Sequence, residues 1–322
     1  MTQSRPGLQI DIVVPVYNEE AGLEAFHRLL AAVLDGLPQH FRIIYVNDGS
    51  GDRTQEILSR LAEADGRVTA VELSRNFGHQ SALSAGLDLS DGDVVISMDG
   101  DGQNPPALIP QMLALFESGY DIVLMQRIEK MKLPPFKRLT SSGFYWVINR
   151  LSSTPVTPGA ADFRLMARAA VQALKQMPEY HRFLRGMVTW MGFKSVVLPY
   201  ETVERLAGES KYSARKMMIL ALDAIFSFSL TPLWVGLFTG GVFFALALLE
   251  VIYVLSFWLT GRQSLLTPGW SSLIFVILIV GGTIMINLGF IGVYVGYIFQ
   301  EVKRRPVYLV RSVSGAGARE PK

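Results

Sequence analysis

Asp99 and Asp101 stand one residue apart in Met98-Asp-Gly-Asp-Gly-Gln-Asn-Pro-Pro106, at the end of the apolar run 93–98. Alternate side chains of an extended segment point the same way, so these carboxylates can converge on one point. With the amide oxygen of Gln103 they form an oxygen donor set suited to a hard divalent cation, Mg2+ or Mn2+. Such a cation commonly holds a diphosphate. Asp-Gly-Asp-Gly is equally a turn sequence, and the motif alone leaves both readings open. A calcium EF-hand loop fits poorly. Its sixth position, which calls for glycine, is Asn104, and its twelfth, which calls for glutamate, is Pro110.

The elements around the motif alternate. A β-rich run at 8–14 ends at Pro15, and 19–34 carries Leu23, Phe26, Leu29, Leu30 and Val33 at helical spacing. Strands are expected at 41–46, 68–73, 94–98 and 121–125. Helices are expected at 53–64, with Asp52 as its cap, at 80–87, and from Pro105 and Pro106 to about Glu117. The pattern predicts an α/β fold with an open, mostly parallel sheet. Ligands of such sheets bind beyond the carboxyl ends of the strands. Those ends carry Val16-Tyr-Asn-Glu-Glu20, Asn47-Asp-Gly-Ser50, Ser74-Arg-Asn-Phe-Gly-His79 and Asp99-Gly-Asp101. No G-x-G-x-x-G follows the first strand and no G-x-x-x-x-G-K-[ST] occurs, which argues against a dinucleotide oxidoreductase and a P-loop NTPase.

Composition narrows the rest. The 322 residues include 30 Lys plus Arg and 28 Asp plus Glu, a net charge of +2, so nothing favours nucleic acid as a partner. There is no cysteine, hence no disulfide and no thiolate metal site. Met1-Thr-Gln-Ser-Arg-Pro6 lacks an apolar region, and no signal peptide is expected. After Asp223 the chain turns apolar, and 264–300 has no charged residue. Two membrane spans are expected, at 232–259 and 271–298. Glu250 falls roughly 27 Å along the first span from Pro232, near the far interface, where a carboxylate reaches headgroup water. Trp234, Trp258 and Trp270 suit the interfaces. Lys211, Arg215 and Lys216 precede the pair and Lys303, Arg304 and Arg305 follow it, which places both termini in the cytoplasm of an inner-membrane protein. The expected organisation is a catalytic domain at 1–210, an amphipathic interface helix at 211–230, a hairpin of transmembrane helices at 231–300 and a cytoplasmic tail at 301–322. Gly292 and Gly296 form a Gly-x-x-x-Gly pair compatible with a homo-oligomer. Phe183 and Trp190 read as core residues, and His79 as the start of a helix with no catalytic part.

Val14-Pro-Val-Tyr-Asn-Glu-Glu20, Asn47-Asp-Gly-Ser50, Arg75-Asn-Phe-Gly-His79 and the Asp99 motif together resemble family 2 glycosyltransferases of the GT-A fold. Arg205-Leu-Ala-Gly-Glu-Ser-Lys-Tyr212, the apolar pair and the Tyr294–Pro306 segment narrow the resemblance to the polyprenyl-phosphate glycosyltransferases, over about residues 10–306. The resemblance implies that Pro15, Tyr17, Asn18 and Glu19 border a nucleotide base, with Asp48 at base or ribose. It implies that Asp99, Asp101 and Gln103 hold Mg2+ or Mn2+ and the donor diphosphate. Arg127, Arg138, Arg205, Ser210 and Lys211 become candidates for the lipid phosphate, and Asp162, in Asp162-Phe-Arg164, lies on the acceptor side as a catalytic candidate. Gly100 and Gly102 depart from the family's alanine and leucine and add backbone freedom to the loop.

The implied reaction moves a hexose, glucose in the nearest resemblance, from a nucleoside-diphosphate sugar to polyprenyl phosphate. UDP is favoured over GDP. A phosphate nucleophile is already ionised near neutral pH and needs no strong base, so the protein chiefly positions two anions that repel each other. In-line attack inverts the anomeric centre. A processive polysaccharide synthase would carry Gln- or Arg-x-x-Arg-Trp, but here Arg182-Phe-Leu-Arg185-Gly186 lacks the tryptophan. A non-catalytic scaffold has no need of the acidic motif.

Overall fold

The computed structural model describes residues 7–128, 160–180, 182–201, 231–261 and 269–315. The described residues up to Glu201, together with those from Arg305 onward, form one compact unit, and the two long helices form a second.

In the first unit, β1 (Gln9–Val16), β2 (His40–Asn47), β3 (Val68–Leu73) and β4 (Val94–Ser97) alternate with α1 (Leu23–Leu34), α2 (Thr54–Ala64) and α3 (His79–Leu89). A short 3-10 turn (Pro106–Leu108) leads into α4 (Ile109–Glu117) and β5 (Ile122–Ile128). Then follow β6 (Ala160–Ala167), α5 (Arg168–Lys175), α6 (Leu184–Trp190) and β7 (Ser195–Glu201). The eight-stranded sheet runs β7-β5-β6-β4-β1-β2-β3-β8, where β8 is Val310–Gly315. Pairings β3-β2-β1-β4 are parallel and so is β5-β7. β6 is antiparallel to both β4 and β5, and β8 is antiparallel to β3. The sheet is therefore mixed, and β5 is separated from β4 by a strand that the sequence pattern did not announce.

Burial explains why the first elements form. β1 is buried nearly throughout, as a central parallel strand covered on both faces must be. Ile10, Ile12 and Val14 pack in one core with Phe26 and Leu30 of α1, Tyr45 of β2 and Phe163 of β6. Asp11 is the buried exception. Arg42 Nη2 reaches its Oδ2 at 2.6 Å, and the N–H groups of Asp91 and Gly92 donate to the same oxygen at 2.8 and 2.9 Å. A buried charge paired in this way holds the amino-terminal side of the sheet together.

The segment expected to be a tail instead returns to the sheet. Arg311 Nη1 pairs with Glu72 at 2.6 Å, Leu309 C=O accepts from Ser74 N–H at 2.8 Å, and the Tyr308 hydroxyl donates to Asp88 at 2.8 Å.

The second unit contains α7 (Thr231–Leu259) and α8 (Trp270–Lys303). Among the described residues one stretch, Ile279–Lys303 of α8, is long and apolar enough to cross a membrane, and Leu233–Leu246 of α7 is a shorter apolar stretch. Of the two expected spans, one meets the length and composition requirement. The expected amphipathic segment 211–230 lies outside the described residues.

Candidate active site

The acidic loop begins where β4 ends. Ser97 pairs with Arg164 of β6, and the Ser97 hydroxyl donates to the Asp162 carbonyl at 2.6 Å. The antiparallel strand thus delivers Asp162 beside the Asp99 loop. Asp99 Oδ2 accepts from the Asn104 amide at 3.2 Å, and Asn104 Oδ1 accepts from the Tyr200 hydroxyl at 2.8 Å. Arg127 also hydrogen-bonds Tyr200. Hence Arg127, a candidate for phosphate binding, joins Asp99 through two intermediate side chains on β7 and the loop. Asp101 Oδ1 accepts from Gln103 N–H at 3.0 Å, which closes a tight turn.

The two glycines of this turn do not loosen it. Gly102 sits at φ +79°, in the left-handed region that side chains with a Cβ rarely adopt. At Gly100 an added Cβ would fall 2.8 Å from Val16 Cγ1, so the missing side chain lets the loop pack on β1. The departures from the family pattern fit this chain's own geometry, contrary to the expected gain in freedom.

The acids suit a divalent cation shared with a substrate. Among the described residues no group of three or more His, Asp or Glu forms a complete metal cluster. Mg2+ sites for phosphates seldom have one; one or two carboxylates suffice when substrate oxygens and water complete the shell. Burial raises the Asp99 carboxyl above its ordinary range, and the like charges of Asp162 and Asp101 add to the rise, against the pull of His79. A cation between Asp99 and Asp101 would relieve that repulsion.

Asp162 is the hub of the opposite side. Its side chain is 3% exposed. Arg185 donates to both carboxylate oxygens, Nε at 3.2 Å and Nη2 at 2.9 Å. Gln80 Nε2 donates at 3.1 Å, and Arg164 Nη2 makes a further short contact. His79 Nε2 lies 3.4 Å from Asp162 and 3.5 Å from Asp99, bridging the two acids. Burial opposes the Asp162 charge, but Arg185, His79 and Arg164 outweigh it and hold the carboxyl well below its usual range. Burial likewise pulls His79 down, yet the bond to Asp162 and the charge of Asp99 win and raise it from 6.5 to about 9. Arg164 is 2% exposed, donates through Nη1 to Leu184 C=O at 3.2 Å, and has no acceptor for Nε among the described residues. A buried guanidinium left partly unsatisfied costs stability.

The remaining carboxyl-end loops form a framework. Asn18, at φ +52°, donates its N–H to Ser50 Oγ at 2.9 Å and accepts from Gly51 N–H at 2.9 Å. Glu19 N–H donates to Thr54 Oγ1 at 3.0 Å. Asp52, expected to cap α2, accepts from Thr54 N–H at 3.0 Å and also from Glu20 N–H at 3.2 Å. Pro15 lies buried at the end of β1, and Tyr17 is exposed beyond it. Asp48 accepts Phe77 N–H at 2.7 Å and Gly78 N–H at 2.9 Å, so it braces the loop before α3. Gly49, at φ +63°, lets the Arg75 backbone approach where any Cβ would overlap it.

Asp99, Asp101, Gln103, Asp162 and Arg127 therefore gather at one end of the sheet, with the Tyr17–Glu19 and Asp48 loops on the same edge. Arg138, Arg205, Ser210 and Lys211 lie outside the described residues. The sequence reading missed His79, Gln80, Arg164 and Arg185 as site residues. The pointers were the Arg75-Asn-Phe-Gly-His79 and Asp162-Phe-Arg164 motifs, in which His79 and Arg164 received no role of their own, and the Arg182-Phe-Leu-Arg185 spacing, considered only as a sign of a processive enzyme. Trp190, expected in the core, is 66% exposed.

Comparison with known proteins bears directly on this arrangement. The family model described as Glycosyl transferase family 2 matches residues 11–174. An uncharacterized glycosyltransferase of Bacillus subtilis is 38% identical over 308 residues, covering 96% of this chain and 95% of its own. A prophage-derived bactoprenol glucosyl transferase of Shigella flexneri is 37% identical over 308 residues, covering 94% and 98%. A prophage bactoprenol glucosyl transferase homolog of Escherichia coli is 35% identical over 309 residues, covering 95% and 99%. Among solved structures, glucosyl-3-phosphoglycerate synthase from Mycobacterium tuberculosis aligns with a TM-score of 0.47 at 19% identity, covering 70% of this chain and 83% of that one. With the family match running from β1 through α5 and near end-to-end similarity to named glycosyltransferases, the chain is a glycosyltransferase and belongs to glycosyl transferase family 2.

Proposed function

We propose that this enzyme transfers glucose from UDP-glucose to polyprenyl (undecaprenyl) phosphate at the cytoplasmic face of the membrane, with inversion at the anomeric carbon. The observation that carries this reading is the juxtaposition of an acidic loop, Asp99-Gly-Asp101, with an arginine-rich cluster around Asp162, in a chain 37% identical along 94% of its length to a bactoprenol glucosyl transferase. One side suits a cation and a leaving diphosphate, the other an incoming phosphate.

Asp101, Gln103 and Asp99 would hold Mg2+ or Mn2+, which when bound neutralises charge growing on the leaving diphosphate. Pro15, Tyr17, Asn18 and Glu19 border the base, and Asp48 keeps the Phe77–Gly78 backbone against the ribose side. Arg127, Arg138, Arg205, Ser210 and Lys211 attract the acceptor's phosphate, and Asp162 stands on the acceptor side. The nucleophilic phosphate oxygen attacks the carbon bearing the diphosphate; the C–O bond to the diphosphate breaks as the new C–O bond forms, and UDP leaves. No proton has to be removed from a phosphate already ionised.

A polyprenyl tail stays in the bilayer, so the enzyme must meet it there. The apolar side chains of the second unit support this: Phe238 is 73% exposed and Phe244 72%, a surface that suits lipid better than water. We read α7 and α8 as a two-span hairpin with both termini cytoplasmic, 211–230 as an amphipathic lead-in, and Gly292 and Gly296 as room for a helix of a second copy.

The test uses the purified full chain in detergent with undecaprenyl phosphate, Mg2+ or Mn2+, and radiolabelled UDP- and GDP-sugars. Label from UDP-glucose should enter the organic phase, and should be lost with EDTA and in Asp101→Ala. Label from GDP-mannose, UDP-galactose, UDP-N-acetylglucosamine or UDP-aminoarabinose alone would reassign the donor. No lipid-phase label from any donor would refute the reaction.

A further inference from the structure

We propose that Tyr308, on the segment that follows α8, is a positioning residue for the acceptor side of the active site. Its hydroxyl fixes the Asp88 carboxylate that holds Arg182, and Arg182 sets the start of α6 beside Asp162. The proposal rests on the function proposed above and brings into the site a segment expected to be a cytoplasmic tail.

The segment is seated on the sheet next to Tyr308. β8 pairs with β3 from Val310 opposite Leu73 to Gly315 opposite Thr69. Leu309 C=O accepts Ser74 N–H at 2.8 Å, and Arg311 reaches Glu72 at 2.6 Å and Ser74 C=O at 2.7 Å. Tyr308 then donates its hydroxyl to Asp88 Oδ2 at 2.8 Å, at the end of α3. Burial and the Asp88 charge push that hydroxyl above its ordinary range, so it stays a donor.

Asp88 has a second donor. Arg182 Nη1 lies 3.4 Å from the same oxygen. The Arg182 side chain is 13% exposed and its Nε is buried without an acceptor, so among the described residues Asp88 is the one acceptor of its guanidinium. A nearly buried cation with one acceptor goes where that acceptor is placed. The backbone of Asp88 is fixed as well. Lys175 Nζ donates to its C=O at 3.0 Å and to Ser90 C=O at 2.5 Å, closing the carboxyl end of α3. What is left to fix is the rotation of the carboxylate, and the Tyr308 hydroxyl fixes it.

Arg182 matters because of Leu184. Leu184 N–H donates to Gln80 Oε1 at 3.2 Å, and Leu184 C=O accepts from Arg164 Nη1 at 3.2 Å. Gln80 and Arg164 are also donors to Asp162. The start of α6 is thus tied to both ends of α3, by Gln80 in its first turn and by Asp88 in its last. Without the second tie, the Leu184 backbone and the frame around Asp162 lose a fixed point. The donor-side loops are closed by other bonds: Asn18 with Ser50 and Gly51, Asp101 with Gln103.

The experiment compares the full-length enzyme in detergent with Tyr308→Phe, Arg182→Gln, their double variant and Arg311→Gln. Initial rates are measured against undecaprenyl phosphate at saturating UDP-glucose, and UDP binding with Mn2+ is measured by calorimetry. Tyr308→Phe removes one oxygen. It should raise the acceptor KM about 3- to 10-fold, below the roughly 100-fold that a 1 Å misplacement of a reacting group can cost, while UDP affinity stays within about twofold. Arg182→Gln should raise the same constant, and adding Tyr308→Phe to it should change little further, because members of one network do not add. Arg311→Gln loosens the same segment at β3 without touching Asp88 and should leave the acceptor KM within about twofold. Should Arg182→Gln fail to fold, Tyr308→Phe against Arg311→Gln decides. An unchanged acceptor KM in Tyr308→Phe, equal losses in acceptor KM and UDP affinity, or an equal rise in Arg311→Gln would overturn the proposal, because a purely structural strap affects both sides alike. Independent, multiplying effects of Tyr308→Phe and Arg182→Gln would overturn it too. A wild-type enzyme that forms no lipid product would instead overturn the proposed reaction, and the proposal with it.

Discussion

Removing the Asp162 carboxylate separates an anchor from a base. In Asp162→Ala, Arg164 keeps its charge in a site where its side chain is 2% exposed, with Leu184 C=O as its remaining described acceptor. Deleting one partner of a buried ion pair costs about 3–5 kcal/mol. In a domain of roughly 200 residues, about 2–4 °C of Tm is lost per kcal/mol, so the melting temperature should fall by roughly 6–20 °C. Thermal unfolding in detergent, followed by scanning fluorimetry, measures this directly. The companion variant Asp162→Leu/Arg164→Met removes both charges and should recover most of the loss, since apolar replacement of a whole buried pair is often neutral or better. Neither variant should transfer sugar. If Asp162→Ala melts within about 2 °C of wild type, or the double variant melts no higher than the single, the ionic cluster is not what holds this part of the site and the reasoning fails.

His79 supplies a pH test. Its folded-state value is raised from 6.5 to about 9, so its protonated form favours the folded state fully below pH 6.5, and that contribution fades as pH rises towards 9. Tm plotted against pH should therefore decline between those values in wild type and flatten over the same interval in His79→Gln. Gly100→Ala restores the residue usual in the family, yet its Cβ would lie 2.8 Å from the γ-carbon of Val16, a side chain stiff about χ1; urea unfolding should show a loss of about 1–3 kcal/mol, recovered by adding Val16→Ala. Asp11→Asn takes from Arg42 its buried partner but leaves it the pair with Asp91, and should destabilise by about 1–3 kcal/mol by the same unfolding measurement, with UDP affinity measured by calorimetry unchanged, since Asp11 lies away from the carboxyl ends of the strands.

The first half of the sheet was legible because its signals are local. Apolar runs of strand length, each followed by helical spacing and a polar turn, name β1 to β4 and the loops beyond them. The Asp99 loop could be placed at a strand end from its neighbours alone. β5 was also expected, at 121–125, but β6, β7 and β8 carry no such cue. β6 follows β5 after a long interval yet lies between β5 and β4, and only that placement makes Asp162 a neighbour of Asp99. His79 reads locally as the first residue of a helix; its meaning comes from two acids distant in sequence. Arg185 sits in a spacing that resembled another enzyme type imperfectly, and Gln80, which accepts the N–H of the neighbouring Leu184, is 104 residues away from it in sequence. β8 was hidden behind a stretch whose basic residues read as membrane-flanking charge. Its Val310–Gly315 segment has the partly buried character of an edge strand.

That last strand sets a timetable for synthesis. The outer edge of β3 emerges early, but the strand that covers it is encoded after both apolar helices. At about 5–20 residues per second, the ribosome leaves that edge uncovered for roughly 10–50 s. During this interval Glu72 awaits Arg311 and Asp88 awaits Tyr308. An open strand edge invites pairing with other chains, so the nascent protein is most vulnerable while the segments between β3 and β8 are still being made. Covering the edge last also makes a finished sheet a record that synthesis has passed β8: a product truncated after α8 would carry the acidic loop, yet lack the strand that closes β3.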